Sequence, residues 1–146
     1  MKSIQKITRV HLKIDQNDDF ILLAIVSSEP DYKLSLSINK KFRISLKSSI
    51  PVKISDDKGE DLLFSRFTDA SMAPDLVYSL VSNRSGKDFL LKKLKNVDYI
   101  FQIQKPENEY DIEETISMLR ETESVSGVFN VDISSFKDKN LQFLIL

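Results

Sequence analysis

The chain has no cysteine, no tryptophan, one histidine and 3 glycines in 146 residues. Each scarcity removes a class of function. Without cysteine there is no disulfide, no zinc–thiolate centre, no iron–sulfur cluster and no thiol nucleophile. So few glycines cannot supply the glycine-rich loops that cradle phosphates. The single imidazole, His11, cannot build a two-histidine metal site, and its place between Val10 and Leu12 reads as an ordinary strand position. No serine sits in a G-x-S-x-G setting, so hydrolase chemistry of that type is not expected. Excess charge is missing too: 21 basic and 22 acidic side chains leave a net charge of −1, so no global field draws the chain to nucleic acid or membrane. The longest apolar run, Phe20 to Val26, falls far short of the ~20 residues that cross a bilayer. The opening MKSIQKITRVHLKI has no signal-peptide core, and the closing LQFLIL has no lipidation cysteine. A cytoplasmic protein without a membrane segment is the expectation.

What is present is globular. Hydrophobic residues make up 41%, charged residues 29% and aromatic residues 9% of the chain, and no low-complexity linker divides it. A single domain over 1–146 follows. Ile7 to Ile14 alternates as a first strand, and an acidic turn follows at Asp15–Asp19. Phe20–Val26 is a continuous apolar run, the pattern of a strand covered on both faces. Ser28-Glu29-Pro30-Asp31 is a helix-start signal with Ser28 as the cap. The residues after it fit two periods. Leu34, Ile38 and Phe42 share a helical face, yet Leu34, Leu36 and Ile38 also alternate. The cap favours a helix over 30–42 and a strand over 43–47, with a hairpin turning at Asn39-Lys40 as the alternative.

Ser48–Asp61 reads as a polar connection. Leu62–Thr68 and Leu76–Ser82 read as a strand pair, and a short helix over Phe89–Lys95 is capped from Ser85–Asp88. Val97–Ile103 is a strand with Val97, Tyr99, Phe101 and Ile103 on one face. Ile112, Ile116 and Leu119 mark an amphipathic helix capped by Asp111, with Gly127 just past its end. The strand VFNVDI and a last strand, LQFLIL, close the chain. The expected fold is α+β, with a mixed, mostly antiparallel sheet, two main helices and one short helix. A βαββ succession would repeat over 20–82 and 97–146.

Two stretches carry a resemblance. Val97-Asp98-Tyr99, and Asp31-Tyr32-Lys33-Leu34 followed by Ile38-Asn39-Lys40, resemble a bacterial family named for its IPExxxVDY signature. The chain departs from the signature where Leu91-Lys92-Lys93 stand in place of I-P-E. The resemblance implies an uncharacterised cytosolic bacterial protein and brings no catalytic residue, cofactor or ligand with it.

The remaining patterns are acidic turns and basic clusters. Asp15–Asp19 opens like a calcium loop, but Phe20 stands where the loop needs glycine and Val26 where it needs a bidentate glutamate. Asp56, Asp57, Glu60 and Asp61 surround Gly59 as a solvated turn. No catalytic residues, metal ligands or cofactor contacts are therefore assigned. Charge is segregated along the chain: residues 1–55 carry ten basic and five acidic side chains, residues 106–146 three basic and nine acidic. Lys40, Lys41, Arg43 and Lys47 form one basic cluster, and Lys92, Lys93 and Lys95 a second. If the two converged they could track a phosphate backbone, with Phe42 as a stacking ring. The leading expectation is a non-enzymatic protein-interaction or adaptor domain whose partner is another protein. An RNA- or DNA-associated accessory protein and a small-ligand regulatory domain are the alternatives.

Overall fold

Leu34 and Ile38 are fully buried, while Leu36 between them is 63% exposed. A strand would have put all three on one face, so this spacing makes a helix. The computed structural model describes residues 20–104 and 110–145; the expected strand at 7–14, the turn at 15–19 and His11 lie outside the described residues.

The first described strand, β1 (Phe20–Ser27), is followed by helix α1 (Asp31–Phe42). The helix starts two residues later than a Ser28 cap requires. Pro30 holds the cap position at φ −62°, its carbonyl accepts from Leu34 N–H at 3.0 Å, and no side chain caps the end. Proline suits that place because the N–H it lacks has no helical partner there. At the other end Arg43 turns left-handed, at φ 57°. The expected strand at 43–47 does not form, because side chains take its backbone groups. Asn39 accepts from Leu46 N–H at 2.7 Å and donates to Leu46 C=O, and Asp69 accepts from Ser45 N–H at 2.8 Å.

Instead β2 runs over Lys47–Ser55, in the segment expected to be a polar connection. It pairs with β3 (Asp61–Met72), which pairs with β4 (Leu76–Ser82). Two-residue strands β5 (Arg84–Ser85) and β6 (Asp88–Phe89) make a small hairpin where a helix cap was expected. After β7 (Tyr99–Gln104) come helix α2 (Ile112–Arg120) and β8 (Val125–Val131). Asp111 caps α2 as expected, accepting from Glu114 N–H at 3.0 Å. Gly127 lies inside β8 rather than at the helix end, where the left-handed residue is Ser124. A 3₁₀ turn (Lys139–Leu141) and the short helix α3 (Gln142–Ile145) follow.

The sheet order is β2-β3-β4-β7-β1-β8, with every pairing antiparallel rather than mixed. Its two faces carry separate cores. On one, Leu23, Ile25, Phe101 and Ile103 meet Leu34 and Ile38 of α1 and Ile116 and Leu119 of α2. On the other, Leu22, Ala24 and Ile100 meet Leu90, Leu91, Leu141 and Leu144. Val97 joins this second core, not the face of Tyr99, because the regular strand begins only at Tyr99. The expected final strand is helical: Leu141 and Leu144 are buried three residues apart while Gln142 between them is exposed. A βαββ repeat is therefore broken in its second half. The structure is a single α+β domain with two main helices and one short helix, the short one at 142–145 instead of 89–95.

Asn83 explains why 89–95 is not helical. It is fully buried, its side chain accepts from Leu91 N–H at 2.8 Å and donates to Leu94 C=O at 2.9 Å and Val97 C=O at 3.0 Å. Its own carbonyl accepts from Leu90 N–H. The groups a helix would pair internally are already held, so the segment winds as turns with Leu90 and Leu91 pressed into the core. Asn83→Ala should lower stability by about 2–5 kcal/mol, since three buried backbone groups lose their partner. Urea denaturation measures this, and a loss below about 1 kcal/mol would show that the loop holds without Asn83.

Asp69 gives an acid-side test. Hydrogen bonds from Ser71 and from Ser45 N–H, with the Lys47 cation nearby, hold its carboxyl below the ordinary 3.8. A carboxyl depressed in the folded state stabilises fully above its unfolded value and loses that contribution as pH falls through the folded one. Stability should therefore decline more steeply below pH ~4 in the wild type than in Asp69→Asn, as read by urea midpoints from pH 7 to 2.

Candidate interaction surfaces

The two lysine clusters do not converge. Lys40 and Lys41 sit in the last turn of α1, on the helix side of the sheet, with Arg43 capping that turn and Lys47 opening β2. Lys92, Lys93 and Lys95 belong to the loop whose Leu90 and Leu91 fill the opposite core. Phe42 is no stacking platform either: its ring packs inward, 5.7 Å from Phe101 and 6.5 Å from Tyr78. Lys41 pairs with Glu121 at 3.1 Å, so the basic N-terminal half and the acidic C-terminal half of the chain meet at the ends of α1 and α2. On the other side of the sheet Lys58, Lys87, Lys92 and Lys139 rim an open hollow of about 440 Å³. An equal number of carboxylates lines the same hollow, which leaves it without a net field.

Asp98 and Tyr99 hold the corner between β1 and α1. Asp98 accepts from Ser27 N–H at 2.9 Å and from the Arg84 guanidinium at 2.7 Å. Arg84 also lies over the Phe89 ring at 5.0 Å and reaches Lys95 C=O. The Tyr99 hydroxyl donates to Glu29 C=O, and burial pushes that hydroxyl up to about 12, with Asp31, Asp98 and Glu29 adding to the shift. Asp98 thus fastens the β5 arginine to the end of β1. Ile100 and Gln102 beside it are buried, as a covered face requires.

Most of the buried polar side chains serve the backbone in this way; Ser79 instead shares a hydrogen bond with the Thr68 hydroxyl. Asn140 donates to Leu90 C=O and Gln102 to Leu144 C=O, which pins the C-terminal turns over the second core. Among the described residues no buried side-chain polar atom lacks a partner, and no three Asp, Glu or His side chains gather as metal ligands. No helix of the described residues is long and apolar enough to cross a membrane.

Some large apolar side chains also stand at the surface. Tyr32 is 53% and Leu36 63% exposed. They lie one turn apart on the outer face of α1, opposite the buried Leu34–Ile38 stripe. The same outer stripe continues into Lys40, with Lys33 one turn before Leu36 and Ser37. Sequence reasoning passed over this pair because Leu36 fitted the competing strand pattern. The available signal was an apolar pair on the wrong face of an amphipathic helix. Phe129 on the edge strand β8 and Phe143 on α3 are further aromatic side chains held out of the cores.

No family model matches the chain, and no curated protein matches it.

Asp98→Ala should cost about 1–3 kcal/mol, because Ser27 N–H and the Arg84 guanidinium lose their acceptor. Thermal or urea unfolding measures the loss. Unchanged stability would show that the corner holds itself.

Proposed function

We propose that the chain is a non-enzymatic protein-interaction domain that docks its partner on the outer face of α1. The observation that carries this reading is the exposed Tyr32–Leu36 pair amid Lys33, Lys40 and Arg43. Apolar anchors with basic side chains beside them suit a partner that offers apolar side chains among acidic ones. The buried amides favour the same reading, since Asn83, Asn140 and Gln102 are each engaged in holding backbone. Membership of the family that the Val97–Tyr99 and Asp31–Lys40 stretches resemble is part of the proposal and rests on those residues alone.

The test is capture from native cytosol on immobilised full-length chain, comparing wild type with Leu36→Glu and with Leu63→Glu. Leu63 is 55% exposed on β3, away from α1, and serves as the control. A protein retained by wild type and Leu63→Glu but lost with Leu36→Glu is the expected result. Equal retention by all three overturns the α1 site. If RNA or DNA is retained instead at ~50 mM salt, and Gln at positions 92, 93 and 95 flattens the salt slope by up to about one unit per lost contact, the nucleic-acid alternative stands in its place.

A further inference from the structure

Asn140 holds the loop beneath it with one end of its amide and leaves the other end to spare. The residue is 5% exposed, and its Nδ2 donates to Leu90 C=O at 2.7 Å, which fixes the direction of the amide. Asp138 accepts from Asn140 N–H at 3.0 Å and steadies the turn that carries it. Among the described residues no donor meets Asn140 Oδ1, yet no side-chain polar atom shut away from solvent lacks a partner. The oxygen therefore opens to solvent, and the space in front of it is the hollow rimmed by Lys58, Lys87, Lys92 and Lys139. A nearly buried amide oxygen held toward such a space calls for a donor from outside the chain.

The charges around this hollow are left over in the same way. Asp56 is committed to its own turn, accepting from Lys58 N–H at 2.9 Å and Glu60 N–H at 2.8 Å. Asp57, Glu60 and Asp88 also line the hollow, and none of the ion pairs among the described residues joins them to the four lysines. A second hollow, again of about 440 Å³, adjoins the first over Ile54, Ser55, Lys139 and Asn140. Its walls are more apolar: Ile54 belongs to the second core, and Phe143 stands 39% exposed at its side. Volumes of roughly 300–1,000 Å³ are those that hold small ligands.

We propose that the two hollows bind a small zwitterion with an apolar side chain, either a free amino acid or a short peptide. The ammonium group donates to Asn140 Oδ1 with the free carboxylates around it. The carboxylate meets the lysines, of which Lys139 is shared by both hollows. The side chain lies on Ile54 and Phe143. A ligand of one charge gains nothing here, because lysines and carboxylates balance. Ion pairs open to water are weak, so the dissociation constant is expected near the millimolar range, about 0.1–5 mM. The site lies across the sheet from α1 and stands independently of the docking face.

Proton–nitrogen NMR titration of the full chain with leucine and with the dipeptide leucyl-leucine, each to about 20 mM, reads this directly. Saturable shifts of the Asn140 side-chain amide and of backbone amides over 54–62 and 87–92 are expected, and the tighter ligand tells amino acid from peptide. N-acetyl-leucine, which lacks the ammonium, and leucinamide, which lacks the carboxylate, should bind at least about fivefold more weakly than leucine. Replacing the exposed Lys92 and Lys139 together by glutamine should weaken binding about threefold or more and leave the circular dichroism unchanged. No saturable shift with either ligand overturns the proposal. Equal binding of N-acetyl-leucine or leucinamide, or an unaffected Lys92→Gln/Lys139→Gln variant, overturns the match of two charges on which it rests.

Discussion

Asn83 is the constraint on which the arrangement of one whole side of the molecule depends. A fully buried amide is costly unless every donor and acceptor is met, and here the loop of residues 90–97 meets them. That loop carries Leu90 and Leu91 into the second core. It also presents Leu90 C=O to Asn140, which locates the C-terminal turns. The layer opposite the helices is therefore not a regular element laid on a sheet. It is irregular chain fixed by three buried amides, Asn83, Asn140 and Gln102, with leucines filling the space between them.

Asp98 extends the same network toward the surface. Asn83 N–H donates to Asp98 C=O, and Asp98 N–H donates to Ile25 C=O. Its carboxylate then takes Ser27 N–H and Arg84. The end of β1, the start of β7 and the small β5–β6 hairpin thus share one set of bonds. Charge-assisted bonds of this kind are stronger than neutral ones, and the carboxylate is only partly exposed. The corner they hold is where α1 begins, so the direction of that helix, and of the Tyr32–Leu36 face, is set from below.

This explains which parts of the fold were legible in the sequence. β1, β7, α1 and α2 were readable because their burial follows a period: a continuous apolar run for β1, buried leucine and isoleucine four residues apart for α1. β2 was not, because an edge strand beyond the reach of the helices needs only Val52 and Ile54 inside, and KSSIPVKIS therefore reads as a connection. The 89–95 helix and the 43–47 strand failed for one shared reason. In each, a distant or neighbouring side chain, Asn83 or Asn39 with Asp69, claims the backbone groups before local propensity can use them. LQFLIL has strand-like composition, but Gln102 and the gap over the second core select a helical turn. As for function, the lysine clusters were visible as composition, while their separation by the sheet was not.

The residues that carry the family resemblance divide by the same logic. Val97, Leu34 and Ile38 fill cores, Asp98 and Tyr99 hold the β1–α1 corner, and Asn39 closes the loop after α1. Asp31 turns its carboxylate to Tyr32 N–H in the first turn. The side chains of Tyr32, Lys33 and Lys40 have no such task among the described residues, and all three are exposed on α1. Packing and hydrogen bonding explain the rest of both stretches without reference to any partner. They do not explain why a helix whose inner face is complete should also place a tyrosine and a leucine outward beside lysines. That unexplained remainder is physical rather than statistical: exposing two large apolar side chains gives up the free energy their burial would add, about 1.5–3 kcal/mol each. A partner that covers them recovers it.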